Sequence, residues 1–292
     1  MKEIVVISGK GGTGKTSLTA SFAQLGGERI VSADCDVDAA DMHLLLQPDF
    51  GNSEAFFSGL KAEINQKECS QCGKCFEVCR FNAIEVKNDI HSVIQLNCEG
   101  CEYCARVCPK NAIKMIEQNV GNLYVSTTKD GFQMVHAKLA IGADNSGKLV
   151  AKVKKVAKEL AELHQKEYIL VDGSPGVGCP VVSSLSGADF VLLVTEPTLS
   201  GFHDLKRVYE VVENFKIKAG CIINKYDINP KISREIEEFL KDNGISYIAK
   251  LPYDETFTKA MTNGKTVIEY SENELKQILI TSWNKIQNIL KQ

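Results

Sequence analysis

The chain predicts an α/β fold, a mainly parallel, doubly wound sheet with an α+β domain inserted into it. Three observations lead there. Short apolar runs alternate with amphipathic segments over most of the 292 residues, the pattern of a parallel sheet covered by helices on both faces. A glycine-rich loop, Gly9 to Thr16, separates the first apolar run from the first helical segment. Eight cysteines, in two copies of one spacing, occupy residues 69–108, where the alternation stops.

Glu3 to Ile7 and Arg29 to Ala33 are the first two strands, with a helix over Gly14 to Leu25 between them. Uninterrupted apolar residues mark strands buried on both faces. Beyond the cysteines, Asn122 to Thr128 and Phe132 to Ala137 flank Lys129-Asp130-Gly131, a hairpin signal that extends the sheet with antiparallel strands. Asn145-Ser146-Gly147-Lys148 opens a helix running to Leu163, and this turn could equally touch a partner or ligand. Strands Tyr168 to Val171, Phe190 to Val194, Ala219 to Ile223 and Ser246 to Lys250 then accompany helices Gly201 to Phe215 and Lys231 to Asn243. The last helix, Glu272 to Leu290, carries Leu275, Leu279, Trp283, Ile286 and Leu290 at helical spacing. With only Lys276, Lys285 and Lys291 along it, packing on the sheet is preferred to a membrane-surface role. The expected division is residues 1–62 with 119–292 for the sheet domain and 63–118 for the insert.

Composition excludes several classes. A formal net charge of −3 gives no electrostatic case for a nucleic-acid binder. No apolar stretch approaches the ~20 residues that span a bilayer, and the first apolar run is far too short for a signal peptide. The expectation is a cytoplasmic protein with no membrane and no nucleic-acid partner. The five histidines form no metal pattern.

The loop Gly9-Lys10-Gly11-Gly12-Thr13-Gly14-Lys15-Thr16 satisfies G-x4-G-K-[ST] and lies between a buried strand and a helix. Glycines let backbone N–H groups close around phosphate oxygens, and the helix N-terminus adds its positive end. Gly11, Gly12, Thr13, Gly14, Lys15, Thr16 and Ser17 are therefore the expected nucleotide contacts, with Lys15 on the β and γ phosphates and Thr16 on Mg2+.

With Lys10 at its second position, the loop resembles the deviant Walker A signature of the MinD/ParA and Mrp ATPases and of the nitrogenase iron protein. That resemblance implies a P-loop NTPase sheet, ATP hydrolysis, and a nucleotide-dependent homodimer, or a heterodimer with a related ATPase, in which Lys10 reaches the partner's nucleotide. A solvated loop lysine is the plainer alternative. Asp34-Cys35-Asp36 resembles the family's switch I, which assigns the attacking water to Asp36; Asp41 would help the magnesium shell. Either aspartate could instead cap a helix. Asp172-Gly173-Ser174-Pro175-Gly176 resembles switch II, D-x-x-P-G, with Asp172 on the magnesium shell and the Gly176 N–H sensing the γ phosphate. Asn224 would contact the base and Pro252 close its other side. Asn224-Lys225-Tyr226-Asp227 also spells N-K-x-D, the guanine-reading motif of GTPases, so GTP stays open beside ATP.

The cysteines form two C-x2-C-x2-C-x3-C runs, Cys69, Cys72, Cys75, Cys79 and Cys98, Cys101, Cys104, Cys108, at a constant offset of 29 residues. Asn82-Ala83-Ile84 recurs as Asn111-Ala112-Ile113, so the segment is an internal duplication. A disulfide framework or paired zinc sites are the alternatives, but zinc motifs present two separated C-x2-C pairs. The runs resemble those of two-cluster bacterial ferredoxins. That resemblance implies an inserted ferredoxin-like domain with one 4Fe-4S cluster on Cys69, Cys72, Cys75 and Cys108, and the other on Cys98, Cys101, Cys104 and Cys79. Pro109 follows Cys108 as the family pattern asks, whereas Arg80 follows Cys79.

Cys35 and Cys221 read as small core residues. Cys179 lies seven residues after Asp172, where the nitrogenase iron protein carries a ligand of a bridging cluster, but a second such cysteine and the C-x2-C pair of Mrp-type carriers are missing outside the insert; the alternative is a structural thiol beside Pro180. Together these resemblances imply ATP-gated electron transfer through two clusters to a redox partner, with metallocofactor maturation as one setting. The alternatives are a carrier or scaffold handing clusters to an acceptor protein, and a redox-sensing positioning ATPase.

Overall fold

Apolar runs bounded by glycine and aspartate become the strands of a parallel sheet in the computed structural model, which describes residues 1–140 and 146–291. In chain order the elements are β1 (Lys2–Ile7), α1 (Lys15–Gly26), β2 (Ile30–Asp34), α2 (Met42–Leu46), β3 (Asn52–Ile64), α3 (Lys74–Val78), β4 (Ile84–Lys87) and β5 (Ile90–Val93). There follow α4 (Tyr103–Arg106), β6 (Ile113–Thr127), β7 (Gln133–Leu139), α5 (Ser146–Leu163), β8 (Tyr168–Asp172), α6 (Cys179–Leu185) and β9 (Phe190–Thr195). The chain ends with α7 (Leu199–Asn214), β10 (Lys218–Asn224), α8 (Pro230–Asp242), β11 (Ser246–Leu251), α9 (Thr256–Thr262), α10 (Val267–Tyr270) and α11 (Glu274–Lys291). Asn145 lies outside the described residues.

Nine strands form one sheet in the order β11-β10-β9-β1-β8-β2-β7-β6-β3. From β11 to β7 every pairing is parallel, and β1, β2, β8 and β9 are buried along nearly their whole length. All their carboxyl ends therefore meet at one edge, the place where open α/β sheets bind ligands. The hairpin at Lys129–Gly131 forms, its turn closed by Thr128 N–H to the Phe132 carbonyl at 2.9 Å. One expectation is corrected there: β7 pairs parallel to β2, Val31 opposite Gln133, so it continues the parallel sheet. The hairpin then makes β6, the next strand out, run the opposite way.

The described residues separate into two compact units, one of residues 1–54, 122–139 and 146–291, the other of residues 55–121 with Ala140. The second is wider than the expected 63–118, because β3 and β6 are long strands that enter and leave it rather than loops. In the first unit α11 lays Leu275, Leu279, Trp283 and Ile286 into the core. Trp283 stacks on Phe22 at 5.7 Å and meets Tyr168 edge-on at 5.8 Å. The apolar face of this helix is thus occupied.

The second unit is held by Ala62, Ile64, Cys75, Ile84 and Ile113, with Cys69, Cys79, Cys98, Cys104 and Cys108 packed against them. β4 and β5 pair antiparallel, Ile84 opposite Val93. The duplication extends to the backbone. Gln71 and Gly100, Gly73 and Glu102, and Asn82 and Asn111 are three pairs at the 29-residue offset, and all six adopt positive φ.

Candidate functional site

The nucleotide loop follows β1, the strand flanked by β8 and β9. Gly14 has φ 90°, and a Cβ there would come within 2.6 Å of the Asn224 amide, so only glycine lets the loop turn this close to β10. Asn224 donates its side-chain N–H to the Thr13 carbonyl at 2.8 Å, tying the two together.

Three strand-end aspartates gather around the loop lysine. Lys15 Nζ lies 2.8 Å from Asp172 Oδ1 and 3.3 Å from Asp36 Oδ2. Asp172 also accepts the Thr16 hydroxyl at 2.7 Å and the Thr19 hydroxyl at 2.9 Å. Burial alone would pull the Lys15 ammonium down, but Asp172 and Asp36 outweigh it and hold its pKa above the ordinary lysine value. Asp36 is itself pushed up by burial, which Lys15 offsets in part. Asp34, fully buried, accepts N–H groups from Asp36 at 3.1 Å and Met42 at 3.3 Å and so fixes the loop after β2. Burial, with Asp172 as neighbour, pushes its carboxyl well above the usual range.

A cavity of about 560 Å³ opens over this cluster. Gly11 through Ser17, Asp36, Asp41 and Asn224 line it. Pro175 lines it from the loop after β8, whereas the Gly176 N–H bonds the Ser8 carbonyl at 2.9 Å. Tyr253, Phe257 and Met261 supply an apolar wall that the sequence reading did not include. Among its lining residues is Tyr253 rather than Pro252. Phe257 and Met261 belong to α9, too short to show a helical period.

Lys10 points elsewhere. Its ammonium pairs with Glu196 at 2.7 Å and bonds the hydroxyls of Thr198 and Ser200, and Lys225 pairs with the same carboxylate at 2.9 Å. Burial would raise Glu196, but the two lysines overcome it and hold the carboxyl below its usual range. Glu196 carries no motif and was missed from sequence; only its position after β9, at the functional edge, could have flagged it.

In the second unit the eight cysteines line two cavities, Cys69, Cys72, Cys75 and Cys108 around one and Cys79, Cys98, Cys101 and Cys104 around the other. Backbone N–H groups point at four of the sulfurs: Gln71 to Cys69 and Ala62 to Cys98 at 3.4 Å, Ala83 to Cys79 and Ala112 to Cys108 at 3.3 Å. Among the described residues no three or more His, Cys, Asp or Glu side chains converge to hold a single metal ion. The thiols surround a volume rather than a point. Cys35 and Cys221 are buried core residues and Cys179 is exposed at the start of α6.

Strand-end carboxylates gathered around a lysine that follows a buried strand are the arrangement of a P-loop nucleotide-binding α/β protein. The model of the CobQ/CobB/MinD/ParA nucleotide binding domain matches residues 4–267, and the chain belongs to that family. It is a MinD/ParA-type ATPase by family. An uncharacterized protein of Methanocaldococcus jannaschii is 37% identical over 230 residues, 78% of this chain and 79% of its own length. The iron-sulfur ATP-binding protein of the light-independent protochlorophyllide reductase of Chlorobium phaeobacteroides is 24% identical over 156 residues, 51% of this chain and 57% of that one. Among solved structures, the septum site-determining protein MinD of Pyrococcus horikoshii, complexed with Mg-ADP, superposes with a TM-score of 0.60 at 18% identity. The match covers 99% of this chain and 96% of that chain, a likeness of fold. Among the described residues no helix is long and apolar enough to cross a membrane.

Proposed function

We propose that the chain binds and hydrolyses Mg-ATP as a nucleotide-dependent dimer and uses the nucleotide to gate electron transfer through two 4Fe-4S clusters to a partner protein. The observation that carries this reading is the pair of four-cysteine cavities in a chain of the MinD/ParA family. Four thiols around each cavity, with backbone N–H groups directed at four of the eight sulfurs, fit a cubane of iron and sulfide. When bound, each cluster supplies a one-electron centre.

The remaining roles fall to the chain's own side chains. Lys15, now neutralised by Asp172 and Asp36, exchanges them for phosphate oxygens, leaving Asp172 and Thr16 to hold Mg2+ and Asp36 to orient water. Asp227 is not among the residues that line the cavity, and one of its oxygens accepts the Tyr253 N–H at 2.7 Å; this favours adenine over guanine there. The insert follows Asp36 and Asp41 in the chain by a short connection, which supports coupling of nucleotide state to the insert. A surface-binding role for α11 loses its support, since its apolar face packs in the core.

Anaerobic purification followed by EPR, ATP and GTP hydrolysis, and reduction of an acceptor protein with and without ATP test the whole. Two reduced-cluster signals and ATP-dependent electron delivery are expected. Loss of iron to an apo-acceptor would instead indicate a carrier, and a protein purified without iron would end the reading.

A further inference from the structure

Among its described residues the second unit holds one buried polar side chain that no role above employs. His91, on β5, is 5% exposed, and its Nδ1 has no hydrogen-bond partner. Its ring lines the cavity of Cys69, Cys72, Cys75 and Cys108. A Cβ built on Gly73, in the loop between Cys72 and Cys75, would lie 4.0 Å from its Nε2. The backbone around the ring is fixed, since His91 pairs with Val86 across the β4–β5 ladder and its carbonyl accepts the Gln66 side chain at 2.7 Å. A buried polar side chain in a native fold has partners for its polar atoms, and the cavity this ring lines is the place where an N–H of His91 can find one.

The duplication supplies an internal comparison. The residue at the 29-residue offset from His91 is Ala62, which is buried and lines the other cavity, that of Cys79, Cys98, Cys101 and Cys104. One place on two related walls is thus filled by an imidazole in the first cavity and a methyl group in the second. The rims differ in the same sense: Lys74 lines the first cavity, Glu99 and Glu102 the second, although solvent screens these charges.

We propose that His91 donates an N–H to a sulfur of the cluster held by Cys69, Cys72, Cys75 and Cys108 and so sets that cluster's reduction potential above its twin's. The inference rests on the cluster reading of the previous subsection. Hydrogen bonds to cluster sulfurs stabilise the more negative, reduced state. An electron entering the unit then comes to rest at the His91 side, and the pair of clusters has a direction.

The test is redox titration of the purified holoprotein followed by EPR, for the wild type, His91→Leu and His91→Gln. Two unequal potentials are expected in the wild type. His91→Leu should lower the higher one and leave the other unmoved, with iron content unchanged, and His91→Gln, which keeps an N–H, should restore part of the shift. Equal wild-type potentials, or a leucine variant that moves neither potential or both alike, would overturn the proposal. Should His91→Leu fail to keep its clusters, pulsed EPR of the reduced wild type decides: coupling of one cluster to a nitrogen-bound exchangeable proton of labelled histidine supports the role, and its absence refutes it. Wild-type protein without iron would instead remove the cluster reading itself, a result distinct from all of these.

Discussion

Lys10 and Lys225 share one carboxylate, Glu196, on the loop after β9. If Lys10 is to reach a partner's nucleotide, that pair must open first, so Glu196→Gln should shift dimer formation to lower ATP concentration. Light scattering across an ATP titration reads this, and an unchanged midpoint would show that the pair imposes no barrier. Lys15 is balanced in the other direction. Replacing it with methionine leaves Asp36 and Asp172 without their cation, which costs on the order of 3–5 kcal/mol for a buried pair. Urea unfolding of Lys15→Met without nucleotide should show that loss, alongside abolished hydrolysis. His136 gives a pH signature. It is 3% exposed, bonds Ser126 at 2.9 Å, and is held down to about 4 by burial and by His43. Because the folded pKa lies below the unfolded value of about 6.5, the stability it contributes is complete above that value and disappears as pH falls through about 4. The loss is roughly 2–3 kcal/mol. His136→Gln should flatten that part of the stability profile between pH 7 and 4; an unchanged slope would assign it to other groups.

At the scale of elements, the parallel strands were legible because burial on both faces makes them continuous apolar runs. Phe190–Thr195 and Ser246–Leu251 begin where their sequences say and extend by one residue. The long helices α7, α8 and α11 were equally plain, since each keeps a 3.6-residue apolar period. Short pieces were not: α2, α6, α9 and α10 have at most seven residues, too few for a period, and α9 forms part of the apolar wall of the cavity. The direction of β7 escaped for a different reason. A hairpin signal fixes how two strands meet each other and says nothing about which of them joins the existing edge. The apolar stripe of α11 has a measurable consequence. Trp283 packs between Phe22 and Tyr168, so Trp283→Ala should cost about 3–5 kcal/mol. A small change in the urea midpoint would mean the helix is peripheral.

On the scale of the whole molecule, two sets of residues distant in sequence are each brought to one place. The carboxyl edge of the sheet gathers the phosphate loop with Asp34, Asp36, Asp172, Glu196 and Asn224, from five strands. The second unit sorts eight cysteines into two sets of four that exchange a member between the copies. Cys72→Ser and Cys101→Ser fall in different sets, so if each set holds a 4Fe-4S cluster as proposed, each variant should remove about four iron atoms per chain and one EPR signal. Nucleotide binding in the first unit should be retained. Loss of both signals in either variant would mean that the sets are not independent.

By itself the sequence determined the parallel α/β class, the phosphate loop with its lysine, and the duplicated cysteine spacing, because these are local patterns whose physics acts over a few residues. Only the tertiary structure decided that Glu196 holds Lys10, that Tyr253 and α9 wall the cavity, and that His91 faces one set of cysteines where Ala62 faces the other. Those depend on which strand ends and loops meet after the chain folds, and no short-range periodicity or propensity carries that information.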